Sequence, residues 1–352
     1  MNHTNATAQT ISIPAWDSLQ RAPGEARVLG RFERVVDLLL GDDILALATP
    51  DVGCGPFHLV VDALPAAPLP DRVAVRVLPD VVQVGPWRFA LPAELPLWNP
   101  RPPWGQLALI PARLAALREV VSAAACAGSV SPLAQALYNG AHTDGGELQK
   151  AHAKSQSRQE IFTQTHFIRK TAQQLHAEIL KDLCGSAALR EVSHKPPTLD
   201  AAVAALAGWG PGLTPSGDDF LAGLMLALWA RQGEAARPLC ARIAAAAAPR
   251  TTRLSGAFLR AAAEGLADQR WHTLLHALAG SSDGALETAA QAVLAFGASS
   301  GLDMLTGFLW GNLTTDDGRR TTDDFQIANV VGGRSSVVYD FLLTHYELRI
   351  TF

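Results

Sequence analysis

From Phe220 to Ala230 the chain reads FLAGLMLALWA, eleven residues without a charged or amide side chain. Eleven residues make about three helical turns, and a helix that is apolar on every face has no side to offer to water. Such a segment must be covered all round, which makes it the central helix of a layered helical domain. What precedes it is opposite in character: GWGPGLTPSGDD, Gly208 to Asp219, supplies four glycines, two prolines and adjacent aspartates. Glycines give that loop access to tight turns with exposed amides. A rigid core helix therefore fixes a polar loop, an arrangement suited to positioning ligand groups.

The helix start occurs twice. Ser216-Gly217-Asp218-Asp219-Phe220-Leu221-Ala222-Gly223 and Ser300-Gly301-Leu302-Asp303-Met304-Leu305-Thr306-Gly307 both fit S-G-x-D-x-L-x-G, as a duplicated helical unit would. With Ser216 and Ser300 as N-caps, Asp219 and Asp303 fall at the third helical position and complete capping boxes. Thr214 followed by Pro215 is a locally attractive alternative cap. The echo favours the serines, because Ala298 stands where Thr214 would and cannot cap. Gly223 and Gly307 lie four residues past the aspartates, on nearly the same helical faces, and let the two helices approach closely.

Two readings of the aspartates follow. A buried helix start needs its orphan N–H groups satisfied, and a capping carboxylate does that. Alternatively the glycine loop and helix N-terminus bind a phosphate or carboxylate. Asp218 and Asp219 would repel that anion unless protonated, turned away, or bridged by a cation or by substrate N–H groups. Mg²⁺ suits hard oxygen ligands, but two or three aspartates fall short of a diagnostic metal site. The expectation is substrate recognition with no permanent metal or cofactor, Mg²⁺ being the alternative.

Elsewhere the pattern changes once. From Arg27 to about Ala90, short valine- and leucine-rich runs such as DDILALA, FHLVV, RVAVRVL and WRFAL alternate with turn signals, which predicts a small β-rich domain and leaves open whether it closes as a barrel. Long crossover helices are missing there, so a doubly wound dinucleotide fold is not the natural reading. Gly53-Cys54-Gly55 is followed by Pro56 and a strand rather than a helix, and reads as a tight turn. The proline-rich connector LPLWNPRPPW, residues 95–104, separates this part from helical periodicity over 105–128, 154–183 and the alanine-rich segments beyond HKPPTLD, where Asp200 is placed to cap the next helix. The expected architecture is α+β. It comprises an N-terminal extension (1–20), a β-rich domain (21–100), a larger mainly helical domain with the duplicated glycine-aspartate helix start and the ligand site (101–311), and a loop with a C-terminal segment (312–352). The interface between the two domains is a natural cleft.

Charge and cysteine usage exclude several classes. Lys+Arg is 29 against Asp+Glu at 33 with no basic stripe, which argues against nucleic acid. The absence of a basic-then-apolar leader and of any run of about 20 apolar residues argues against a membrane span and for a cytoplasmic protein. Cys54, Cys126, Cys184 and Cys240 show no C-x-x-C spacing and read as reduced thiols. His142, His152, His166 and His176 lack metal-ligand spacing, and Met225 and Met304 fit apolar packing.

The stretch GxGLTPSGDDFLAG resembles the hallmark of a bacterial family of oxamate carbamoyltransferase subunits, the AllH-like family, otherwise described as a domain of unknown function. Gly210, Gly212, Thr214, Ser216, Gly217, Asp218 and Asp219 match its first motif, and Gly301, Asp303 and Gly307 its second. The general order, β-rich then helical, also agrees over most of the chain. The resemblance implies a subunit, acting in anaerobic allantoin use, of an enzyme that converts oxalurate and phosphate into oxamate and carbamoyl phosphate, with partner subunits. Classical carbamoyltransferases carry S-x-R-T and H-P-x-Q motifs, and this sequence has neither. Either the subunit solves the chemistry differently or its partners hold much of the site.

No residue roles carry over with the resemblance, so roles are assigned from chemistry. A carbamoyl transfer must hold two anions close together, polarise a carbonyl and protonate the departing nitrogen. Gly210, Gly212 and Gly217 offer backbone donors to phosphate, with Ser300 and Gly301 at the second helix start and a hydroxyl from Thr214 or Ser216. Asp219 and Asp303 orient carbamoyl N–H groups. Asp218 is the least constrained acid and the candidate proton shuttle. Arg253 is the candidate positive charge. A non-catalytic small-anion-binding or scaffold subunit, and a hydrolase of a small amide or ureido acid, are the rival readings. A homo-oligomer is compatible with all three.

Overall fold

The computed structural model describes residues 4–21, 24–65, 73–127, 131–138, 155–184, 198–280 and 283–313. His142, His152, the polar stretch around them and the segment beyond residue 313 lie outside the described residues.

The N-terminal part is a closed barrel. Strands β1 (Thr4–Ser12), β2 (Gly24–Arg31), β3 (Val35–Leu40), β4 (Asp43–Ala48), β5 (His58–Val61), β6 (Val75–Leu78), β7 (Val81–Val84) and β8 (Trp87–Ala90) form a sheet of order β5-β4-β3-β2-β6-β7-β8-β1, which an antiparallel β1–β5 pairing closes. A short β9 (Leu97–Trp98) adds to the far end of β1, and helix α1 (Ile13–Arg21) follows β1. Eight strands enclose a space that side chains can fill. Here Val36, Leu38, Leu40, Leu45, Leu47, Trp87 and Phe89 fill it, each buried in one cluster.

The first residues are therefore not an extension. Ala6, Ala8 and Ile11 point into the barrel while Asn5, Thr7 and Gln9 are exposed. Alternation runs from Asn5 to Gln9 and shifts at the irregularity between Ala8 and Thr10, and the inward members before that shift are alanines, so the hydrophobic signal of β1 is weak.

Strands β3 and β4 are buried on both faces, which explains why each reads as an almost unbroken apolar run. Their outward residues Leu39 and Ile44 meet Leu254, Ala257 and the partly buried Phe57 and Phe258. Leu254 and Ala257 belong to α8 (Arg253–Ala263), so this helix joins the two domains.

The remaining helices are α2 (Pro111–Cys126), α3 (Pro132–Tyr138), α4 (Ser155–Cys184), α5 (Leu199–Leu206), α6 (Ser216–Gln232), α7 (Arg237–Ala247), α9 (Gln269–Ala279), α10 (Asp283–Leu294) and α11 (Ser300–Gly311). Helix α6 is the central helix, buried continuously from Ser216 to Trp229. Leu221, Leu224, Met225 and Leu228 join one apolar cluster, with α4, α5 and α7. Leu226 and Ala227 join another, with α2, α9 and α11. Thr198, not Asp200, caps α5, its hydroxyl accepting from the Ala201 N–H at 3.3 Å. Asp200 lies in the first turn and pairs with Arg242 at 2.8 Å. Among the described residues no helix is long and apolar enough to cross a membrane.

The two copies of the helix start pack against each other through their glycines. A Cβ on Gly223 would lie 1.8 Å from the Met304 carbonyl oxygen, and one on Gly307 would lie 1.9 Å from that of Phe220. Phe220 and Met304 are equivalent positions in the two copies, as are Gly223 and Gly307, so an approximate twofold exchanges the contacts. Backbone meets backbone here because neither glycine has a side chain to hold them apart.

Candidate functional site

Each copy is a helix, a glycine turn and a second helix. The first Gly of each motif is pressed onto the preceding helix, since a Cβ on Gly217 would meet the Leu206 carbonyl oxygen at 2.0 Å and one on Gly301 that of Val293 at 1.9 Å. Correspondingly, the Gly217 amide donates to the Trp209 carbonyl and the Gly301 amide to that of Phe296, both at 2.9 Å. These two amides are occupied and cannot serve as phosphate donors. Gly210 and Gly212 differ. They hold positive φ angles of 109° and 102°, and their amides have no acceptor among the described residues.

Local capping is replaced by pairing across the helix crossing. Pro215 and Ser299, not Ser216 and Ser300, occupy the N-cap positions, and neither makes a side-chain cap bond. Asp219 and Asp303 consequently fall at the fourth helical position, and capping boxes do not form. Each aspartate instead faces a serine of the other copy together with a hydroxyl from just before its own helix. Asp219 lies beside Ser300 and Thr214, whose hydroxyls are 3.0 Å apart. Asp303 lies beside Ser216 and Ser299, and it also accepts from the Ser131 hydroxyl at the start of α3. The tertiary partner outcompetes the local one because both helix starts are buried against each other.

This pairing leaves two carboxyls short of partners. One oxygen of each, Oδ2 of Asp219 and Oδ2 of Asp303, is buried without a hydrogen-bond partner among the described residues. Burial pushes Asp303 up to about 6, against the stabilising Ser131, Ser216 and Ser299 hydroxyls. Burial raises Asp219 well above the usual carboxylate range, with the charges of Asp303 and Asp218 adding to the effect and the Ser300 and Thr214 hydroxyls opposing it. A pair of this kind holds protons where ordinary aspartates have lost them, and it can donate a hydrogen bond as well as accept one.

Asp218 turns the other way. Its carboxylate accepts from the Gly208 amide at 2.8 Å, from the Ser255 hydroxyl at 2.8 Å and from the Thr251 hydroxyl, and only 1% of the residue is exposed. Far from being the least constrained acid, it ties the glycine loop to the start of α8. The Thr252 hydroxyl completes the tie by donating to the Leu213 carbonyl. Arg253, the first residue of α8, stands apart from the aspartate pair. Its side chain is mostly exposed, 3.7 Å from Asp42.

The structure thus gathers Thr214, Ser216, Asp219, Ser300 and Asp303, places Gly210 against Ser216, and leaves Asp218 and Arg253 outside that group. Ser216, Gly217, Asp219, Ser300, Gly301 and Asp303 are buried, while Pro211, Gly212 and Leu213 are exposed. Sequence reasoning misses Ser131, although Ser-Pro before an apolar run is a helix-start signal. Its amide partner is local, the Ala134 N–H at 2.9 Å, but its carboxylate partner is 172 residues away. Among the described residues no group of three or more His, Cys, Asp or Glu is gathered to hold a metal ion.

Residues 206–312 match the family model described as oxamate carbamoyltransferase subunit AllH. The matched span opens at the end of α5 and closes just past α11, so it contains both copies of the helix start, the glycine loop and the helices between, and it bears out the family resemblance for that segment. No solved structure matches the chain.

Proposed function

We propose that this chain is a carbamoyltransferase subunit acting on a small ureido acid, exchanging the carbamoyl group between oxalurate and phosphate. The observation that carries the reading is the family match over the span that holds the α6–α11 crossing. In this reaction a phosphate oxygen attacks the terminal carbamoyl carbon, the bond from that carbon to the oxamate nitrogen breaks, and the nitrogen takes up a proton. The unpaired amides of Gly210 and Gly212 beside the α6 N-terminus suit an incoming anion. A carboxyl that keeps its proton does not repel that anion, and Asp219, beside Thr214 at the end of the loop, is the donor to the departing nitrogen. Asp303 acts as a positioning residue through Ser216, and Asp218 as one through Gly208.

A second reading has its own support. The three hydrogen bonds of Asp218 and the complete burial of Asp303 are what helix starts need to hold a scaffold, and they favour a small-anion-binding subunit whose chemistry lies in a partner. Reconstitution with partner subunits separates the two. Oxamate release from oxalurate is followed with and without phosphate, using the native chain and Asp219→Asn. On the transferase reading, release needs phosphate and falls about 10²-fold or more in the variant at unchanged melting temperature. Full turnover by the Asp219→Asn assembly supports the scaffold, and release without phosphate supports a hydrolase.

A further inference from the structure

Asp37 lies on the outer face of β3, between the barrel and α8, and only 5% of it is exposed. Inward alternation assigns Val36 and Leu38 to the barrel interior, so the Asp37 carboxylate points at the helical domain. It makes no hydrogen bond or ion pair among the described residues, and burial pushes it up to about 6. Its oxygens are not among the sealed, unpartnered polar atoms, so they reach the space beside them, where a donor from outside the chain could meet them.

It lines a cavity of about 150 Å³ whose other walls include Gly30, Leu213, Arg253 and Leu254. A cavity near 150 Å³ can accept a molecule about the size of benzene. Gly30 opens this one. It stands opposite Asp37 in the β2–β3 ladder, beside a shift of register. A Cβ there would lie 3.4 Å from Phe32, 3.6 Å from Leu213 and 3.7 Å from Asp37 Oδ2. Phe32 and Leu213 are both exposed apolar residues; Leu213 lines the cavity and Phe32 stands beside Gly30.

The opposite wall is the start of α8. Thr252 caps that helix through the Ser255 amide, and its carbonyl takes the Gly256 amide. The amides of Arg253 and Leu254 are left without an acceptor among the described residues, at the positive end of the helix dipole and beside the Arg253 guanidinium. One end of the cavity therefore accepts N–H groups and the other attracts an anion.

We propose that this inter-domain cavity binds a small acid that carries an N–H donor, such as an amino, amido or ureido acid, its N–H groups on Asp37 and its carboxylate on the α8 start and Arg253. Asp37, Gly30 and Phe32 lie outside the span that carries the family match, so the site goes beyond the functional reading above. Leu213 belongs to both the cavity and the glycine loop, which puts the ligand next to the α6 start.

Calorimetric titration of the full chain, without phosphate or partner subunits, tests the assignment. Oxamate is the probe, and pyruvate, in which a methyl group replaces the N–H₂, is its control. Oxamate is expected to bind at one site, with pyruvate about tenfold weaker or worse, because Asp37 loses its donor. Asp37→Leu is expected to weaken oxamate about tenfold or more and to bring the two ligands together. Arg253→Ala is expected to weaken both alike. Gly30→Ala, whose methyl makes only ordinary contacts, keeps the fold while narrowing the cavity, and should also weaken oxamate. No oxamate binding, equal binding of oxamate and pyruvate to the native chain, or unchanged binding by both Asp37→Leu and Gly30→Ala would overturn the proposal. Asp219→Asn separates this site from the α6 start, where the transferase reading also places oxamate: binding that survives Asp219→Asn and falls in Asp37→Leu belongs to the cavity, and binding that falls in Asp219→Asn but not in Asp37→Leu overturns the proposal while leaving the transferase reading standing.

Discussion

Gly223→Ala puts a methyl carbon 1.8 Å from the Met304 carbonyl oxygen and 2.6 Å from its carbon. Non-bonded heavy atoms rest at about 3.5 Å, so α6 and α11 must separate by roughly 1.5 Å at the crossing. Neither side can yield by a rotamer change, since the clash is with backbone. A gap of even about 1 Å forfeits up to half of each contact along the opened seam. Overpacking of a well-filled core costs about 1–3 kcal/mol, and the rigid neighbour places this case at or above the upper end, about 3–5 kcal/mol. That is a large share of a total stability of about 5–15 kcal/mol. Urea unfolding followed by circular dichroism should show it as a lowered midpoint. Gly307→Ala, facing the Phe220 carbonyl oxygen at 1.9 Å, should cost about the same. Gly284 in α10 has no atom within 4 Å of an added Cβ, and Gly284→Ala should stay within about 0.5 kcal/mol of native. A Gly223→Ala protein within about 1 kcal/mol of native would refute the close crossing.

Three further outcomes follow from particular side chains. Asp218→Ala strands the Gly208 amide and the Thr251 and Ser255 hydroxyls, and should cost about 2–5 kcal/mol in urea unfolding, whereas a free proton shuttle would cost little. Burial raises Asp37 from the ordinary 3.8 to about 6, so the folded chain holds a proton there that the unfolded chain releases between those values. Its contribution to stability is full below about pH 4, falls as pH rises to about 6 and is lost above, a change of about 3 kcal/mol at 1.36 kcal/mol per pH unit that Asp37→Asn should remove from the pH–stability curve. Ser131→Ala removes both the hydroxyl on Asp303 and the local bond from the Ala134 amide at the start of α3, and should raise the Asp303 pKa further while lowering the melting temperature.

Much of this architecture could be read from the chain because it is carried by pattern over many residues. An eleven-residue run apolar on all faces can only be a covered helix, and the S-G-x-D-x-L-x-G echo located its partner 84 positions on. The short strands between Arg27 and Ala90 announced a β-rich domain. What escaped was decided by contacts far apart in sequence. Ser216 looks like a cap because Asp219 follows it three residues later, yet Ser300 and Thr214 are the hydroxyls that Asp219 meets. Asp218 looks free because its partners are at Thr251 and Ser255. Strand β1 was hidden by alanines standing where larger residues normally signal a barrel interior. Asp37 sits unmarked inside VVDLLL, and only the docking of α8 shows that a charge lies between two apolar surfaces.

Two duplicated helix starts cross and place Asp219 and Asp303 together out of water. Following the carboxyl carbon resonances of ¹³C-labelled aspartates through a pH titration tests it most directly, with Asp219→Asn and Asp303→Asn for assignment. Asp303 is expected to lose its proton near pH 6 and Asp219 its own well above the usual aspartate range, and removing the Asp303 charge is expected to lower the Asp219 value. Two aspartates titrating independently near 3.8 would contradict it.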